Sequence, residues 1–116
     1  MSTISTVLAA ILIIVCVASA LMDFRKPEKI VAEMKKLKVP VERLPLLGVI
    51  KILGAIGVAI GFQKVRLGEL AGLGLGMYFA IATVAHTRVK DSVKDTAPAF
   101  ILFVMSVLYV LTTVAK

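Results

Sequence analysis

The chain has 116 residues, 59% apolar and 18% charged, with a mean hydropathy of +1.00. Soluble domains run about half apolar and a quarter charged, so this balance excludes a water-soluble globule, and a chain so apolar cannot stay solvated as a disordered one. The net charge of +7 does not point to nucleic acid, because the Lys and Arg residues cluster beside apolar segments, where anionic headgroups are the simpler partner.

Four apolar runs occupy residues 3–22, 46–62, 67–85 and 97–115. Each is close to the roughly 20 residues a helix needs to cross the hydrocarbon core. The expected fold is all-α, a single transmembrane domain over residues 1–116 built as a four-helix bundle. In the first run, Ala18-Ser19-Ala20 resembles a signal-peptidase site, but no Lys or Arg precedes it, so the run reads as a retained span. Cys16 is the lone cysteine and sits mid-span. It cannot form an intrachain disulfide, and without a CxxC pair thiol–disulfide chemistry is excluded.

Residues 27–39 follow as a short amphipathic helix lying on the membrane surface. Pro27 suits its first turn, Pro40 and Pro45 stop it, and Ile30, Met34 and Leu37 recur at i, i+4 and i+7. A solvent-exposed connector is the competing reading of this segment.

All eight glycines fall between positions 48 and 76. Gly57 and Gly61 make a GxxxG pair, Gly54 precedes them, and Gly68, Gly72 and Gly76 continue the period. Small residues at this spacing let backbones approach closely in lipid. The short connection at residues 63–66 makes spans two and three antiparallel neighbours, so the stripes are expected to weld that hairpin. A homodimer interface is the alternative. Glu69 is expected in the first turn of span three near Arg66, favoured by the helix dipole. Asp95 or Thr96 is expected to cap span four, with Pro98 in its first turn.

The two loops after spans one and three carry ten Lys and Arg residues, against three on the opposite side. The positive-inside bias therefore places both termini outside and the basic loops in the cytoplasm.

Ionisable residues within a span are costly and are functional candidates by default. Lys51 is the foremost, because it shares the small-residue face of Gly48, Gly54 and Ala55. His86 ends span three and extends the stripe Gly72, Gly76, Phe79, Thr83. Their offset from the hairpin turn is about 10 Å at 1.5 Å per residue, within reach of an extended lysine. Asp23, Arg88 and Asp91 belong to the same end of the bundle, so Asp23, Lys51, His86, Arg88 and Asp91 form a candidate polar cluster. A purely structural, snorkelling Lys51 is the competing reading. One His and one Cys cannot supply bis-His haem ligation or a zinc site, and no P-loop or serine elbow occurs. No catalytic or metal-binding set is therefore expected.

The runs Met34-Lys35-Lys36-Leu37-Lys38-Val39-Pro40, Leu47-Gly48-Val49-Ile50-Lys51-Ile52-Leu53-Gly54-Ala55 and Ala85-His86-Thr87-Arg88-Val89-Lys90-Asp91 resemble the DoxX-like family of small four-span bacterial membrane proteins. The resemblance implies a four-helix bundle and marks Lys51, His86, Arg88 and Asp91 as motif positions. It also implies diverse roles, in quinone-linked redox complexes and in membrane-protein assembly. Relatives carry Trp around the second span, and this chain has none. The leading functional expectation is a non-catalytic accessory or lipophilic-ligand-binding subunit, with quinone as a candidate cofactor. Membrane lipids and either a second copy or another membrane protein are its expected partners. A small multidrug-resistance-like dimeric transporter is the alternative, disfavoured because the first apolar run lacks a carboxylate.

Overall fold

A computed structural model describes residues 2–114. Five α-helices follow in order: α1 (Thr3–Arg25), α2 (Glu28–Lys36), α3 (Leu44–Ile60), α4 (Val65–Arg88) and α5 (Val93–Val114), with a single 3-10 turn at Val41–Arg43 leading into α3. Four segments are long and apolar enough to cross a membrane: α1, the 20 residues Val41–Ile60, α4 and α5. The bundle measures 42 × 25 × 17 Å. Its helices close a ring in which α1 packs on α3 and α5, and α4 packs on α3 and α5. Each neighbour along this ring is antiparallel, as short connections between successive spans require.

Most helix ends lie one to four residues from the sequence expectation, α2 covering Glu28–Lys36 and not 27–39, and three of the differences have a physical reason. First, α1 runs to Arg25 rather than residue 22, which brings Asp23 inside the helix. Second, Pro45 lies in the first turn of α3 and starts that helix instead of stopping the previous one, because its missing N–H has no helical partner to lose there. Third, α5 begins at Val93, and Ser92 is its cap, with the Ser92 hydroxyl accepting from the Asp95 amide at 3.1 Å. Neither Asp95 nor Thr96 caps it. Glu69, likewise, is the fifth residue of α4 and makes no ion pair with Arg66 among the described residues.

Three helices end on a lysine in the left-handed region: Lys26 after α1, Lys38 after α2 and Lys90 after α4, with φ of 52°, 61° and 54°. Glycine usually takes this position, and a Cβ there costs about 1–2 kcal/mol. The lysines return part of that through their charge, which complements the negative end of the helix dipole.

The interior combines small and polar side chains with a few large apolar ones, among them Leu12, Leu75, Phe79 and Tyr109. From α1 it receives Ser5, Ala9, Leu12, Cys16, Ala20 and Asp23. Large apolar side chains such as Ile14, Leu53, Leu70, Met77 and Ile81 point outward, each more than 60% exposed. In lipid such residues gain little by burial, so the small face turns inward to let helices touch. The Ser5 hydroxyl adds a hydrogen bond to Thr112 Oγ1 of α5 at 2.7 Å.

Six of the eight glycines divide between two seams, while Gly48 packs against Phe24 of α1 and Gly74 meets no neighbour. A Cβ on Gly54 would strike Leu75, one on Gly57 would lie 2.5 Å from Ala71 Cβ, and one on Gly61 would lie 2.7 Å from Gly68 Cα, so these three close α3 on α4. Gly72 does not join that seam. A Cβ there would meet Val110 Cγ2 at 2.8 Å and Tyr109 Cδ2 at 2.9 Å, and Gly76 faces Ser106, so both belong to the α4–α5 contact. Four residues advance a helix by about 40° more than one turn, so a strict i+4 stripe winds from one neighbour to the next. Gly68 is the crossover, set against both Gly61 and the hydroxyl of fully buried Tyr109.

Gly68→Ala is expected to destabilise the protein in detergent by about 1–3 kcal/mol, because backbone and a buried ring leave no room for the added methyl. Gly74→Ala, whose Cβ would meet nothing within 4 Å, is expected to leave the thermal unfolding midpoint unchanged or slightly raised.

Candidate functional site

The candidate residues fall into two groups at the basic end of the bundle. The first is buried. Ser19 and Asp23 stand four residues apart on α1, hence on one face of it, and α3 brings Lys51 against them. Lys51 Nζ donates to Asp23 Oδ2 at 2.8 Å and to Ser19 Oγ at 2.7 Å. The same ammonium lies 5.5 Å from the centre of the Tyr78 ring of α4. An ammonium has three N–H donors, and here two are bonded while an aromatic face attracts the charge. Lys51 and Asp23 are 7% and 4% exposed, so the pair is cut off from solvent. It ties α1, α3 and α4 together.

The second group lies where α2 meets the α4–α5 connection. His86 is buried near the end of α4, and its Nδ1 lies 2.7 Å from Asp91 Oδ2. An ionised carboxylate only accepts, so Nδ1 carries the proton. The other ring nitrogen faces Glu33 Oε1 of α2 at 3.5 Å. Lys36 of α2 bridges Asp91 Oδ1 at 2.8 Å and Asp95 Oδ2 at 3.2 Å, and the Ser92 amide also donates to Asp91 Oδ1. These donors, Lys36 foremost and then His86, hold the Asp91 carboxyl down at about 2. Reciprocally, Asp91 and Asp95 raise Lys36 above its ordinary value. With Met34 buried beneath it, α2 is docked on the bundle and is not a free connector.

Sequence reasoning thus brings Asp23 to Lys51, and Asp91 to His86, but expects one cluster where there are two. No hydrogen bond or ion pair joins Lys51 to His86 among the described residues. Arg88 is exposed and belongs to neither group. Ser19, Tyr78, Glu33, Lys36 and Asp95 were not singled out as site residues. The spacing of Ser19 and Asp23 could have signalled the first two partners' side of the bundle; the partners on α2 depend on how that helix docks, which no local pattern encodes.

Between α4 and α5 a cleft of about 280 Å³ opens on the outer face of the bundle. Gly72, Gly76 and Ala80 line it over successive turns of α4, together with Met77, Phe103 and Val107. Gly72 to Ala80 is the middle of α4, hence the middle of a span. The lining side chains offer no hydrogen-bonding group, and Ser106 beside Gly76 spends its hydroxyl on the Leu102 carbonyl. Among the described residues no three His, Cys, Asp or Glu side chains converge as metal ligands would.

A family model for the DoxX-like family matches residues 7–109. The chain belongs to the DoxX-like family. No curated protein and no solved structure matches it. Four long apolar helices within this family make it a multi-pass membrane protein. The span of the match includes both ionic groups and all of the cleft lining except Val110 and Leu111.

Two outcomes follow from the ionic groups of this DoxX-like protein. Lys51→Met and Asp23→Asn should each cost about 3–5 kcal/mol by stranding a buried charge, while the double variant recovers most of that loss; unfolding in detergent measures the cycle. The Asp91 contacts, whose carboxyl is depressed from 3.8 to about 2, stabilise the docked α2 above about pH 4 and are lost as pH falls through about 2. The Lys36 contribution has the opposite sense and is lost only as pH rises past that lysine's raised value. The Asp91 carboxyl, followed by nuclear magnetic resonance in micelles, should therefore titrate near pH 2 and not near its ordinary 3.8.

Proposed function

We propose that this DoxX-like protein is a non-catalytic accessory subunit of the bacterial inner membrane that holds the apolar part of a lipophilic ligand. The single observation that carries the reading is the α4–α5 cleft: mid-span, open on the outer face, and lined by side chains without hydrogen-bonding groups. Such a surface selects hydrocarbon and cannot orient a polar reacting group. A lipid acyl chain or the isoprenoid tail of a quinone fits this chemistry, whereas a quinone ring would need donors that the cleft lacks. The basic end, with α2, would face the cytoplasm by the positive-inside bias.

Lys51 and His86 support the subunit reading in a different way. Both are engaged by carboxylates of the same chain, so their role in this reading is to hold the helices and α2 in place around the cleft. The transporter alternative rests on a carboxylate free to exchange its partner inside the first span. Asp23 is a buried carboxylate on α1, but Lys51 occupies it at 2.8 Å.

Photolabelling with a diazirine-bearing fatty acid should map to α4 and α5 at the cleft, and Ala80→Leu, which fills it, should lower that labelling several-fold without changing the unfolding midpoint. Labelling spread evenly around the bundle, or unaffected by Ala80→Leu, would overturn the proposal. A probe carrying an isoprenoid tail, run alongside, separates quinone-like from acyl ligands.

A further inference from the structure

We infer that a polar notch between α2 and the start of α5 binds the headgroup of a zwitterionic phospholipid bearing a phosphodiester and a primary ammonium. The notch has a volume of about 270 Å³ and is lined by Lys29, Ala32, Glu33, Lys36 and Asp95. Ligand pockets for drug-sized molecules span about 300–1,000 Å³, so this one suits a small polar group. Its height is fixed by the bonds of Lys36 to Asp91 and Asp95, at the connection and first turn of α5. That is the level at which an apolar span begins, where headgroups lie.

The lining carries two ammonium groups and two carboxylates, and their formal charges cancel. A ligand with net negative charge therefore gains no net attraction from the four side chains together, whereas one with both signs can be matched group by group. The free valences show how. Lys36 is occupied by Asp91 and Asp95. Lys29 is exposed and takes part in none of the ion pairs among the described residues, which leaves its ammonium for a phosphodiester. Asp95 meets Lys36 through Oδ2, and Glu33 faces His86 through Oε1, so one oxygen of each carboxylate remains to accept a bond. A primary ammonium has N–H groups to give them, and a quaternary choline has none.

The test is native mass spectrometry of the full chain in mild detergent with equimolar phosphatidylethanolamine, phosphatidylcholine and phosphatidylglycerol. Retention of phosphatidylethanolamine several-fold above the other two is expected, falling several-fold in Lys29→Ala. Lys29 makes no docking bond, so amide protection of α2 should be unchanged in that variant. Glu33→Gln should reduce the preference over phosphatidylcholine while leaving phosphate-dependent retention in place. Preferential retention of phosphatidylglycerol would overturn the inference in favour of a plain cationic surface. Retention indifferent to Lys29→Ala would overturn it by placing the lipid elsewhere. Displacement by water-soluble glycerophosphoethanolamine at comparable concentration would also overturn it, since the occupant would then be a free headgroup and not a lipid.

Discussion

Helices in lipid cannot be held together by hiding apolar side chains, since the surrounding hydrocarbon is equally apolar. This constraint shapes every buried face of the protein. Contact has to come from close approach and from polar bonds, and the chain supplies both. Alanines, serines and the lone cysteine line α1, glycines line α3 and α4, and the largest fully buried side chain, Tyr109, fills the space that Gly68 and Gly72 leave. One stripe of glycines serves two neighbours because it winds around its helix, first meeting α3 and then α5.

The two ionic groups obey the same constraint in different surroundings. At the buried pair, water does not compete for Lys51 or Asp23, so every donor and acceptor left open would be costly. Asp23, Ser19 and Tyr78 converge on the single ammonium, and the result is a cross-link among three helices. The second group is partly wet: Lys36 is 45% exposed and Asp95 50%, so these contacts are screened and individually weak. Their strength lies in number and in the buried partners, Asp91 and His86. Together with Met34 they fix where α2 sits, which a free amphipathic helix on a membrane surface would not have.

The architecture was legible in the sequence because hydropathy and length dictate it. Four runs of about the right length can only be spans, and the lysine on a small-residue face can only turn inward. Two kinds of feature were hidden. Limits drawn by hydropathy stop α1 at residue 22, just before the first charge, whereas the helix continues to Arg25 because Asp23 finds a partner inside the bundle. The other is long-range pairing. That Lys36 would meet Asp91 and Asp95, 55 and 59 residues away, depends on the direction in which α2 folds back after Pro27, and no periodicity records it. The single expected cluster failed for a related reason: Lys51 reaches Asp23 sooner than it reaches the end of α4.

The division of labour between polar and apolar parts follows from these placements. Among the described residues the buried charges Asp23, Lys51 and His86 are spent on holding helices, and the cleft within the spans is lined without any charge at all. On α4, Tyr78 and His86 face the ionic groups, whereas Gly72, Gly76 and Ala80 face the cleft from another side of the same helix. The helix that closes the bundle against α3 and α5 also lines the cleft, because the glycines that admit Tyr109 and Val110 to α4 lie along the same seam.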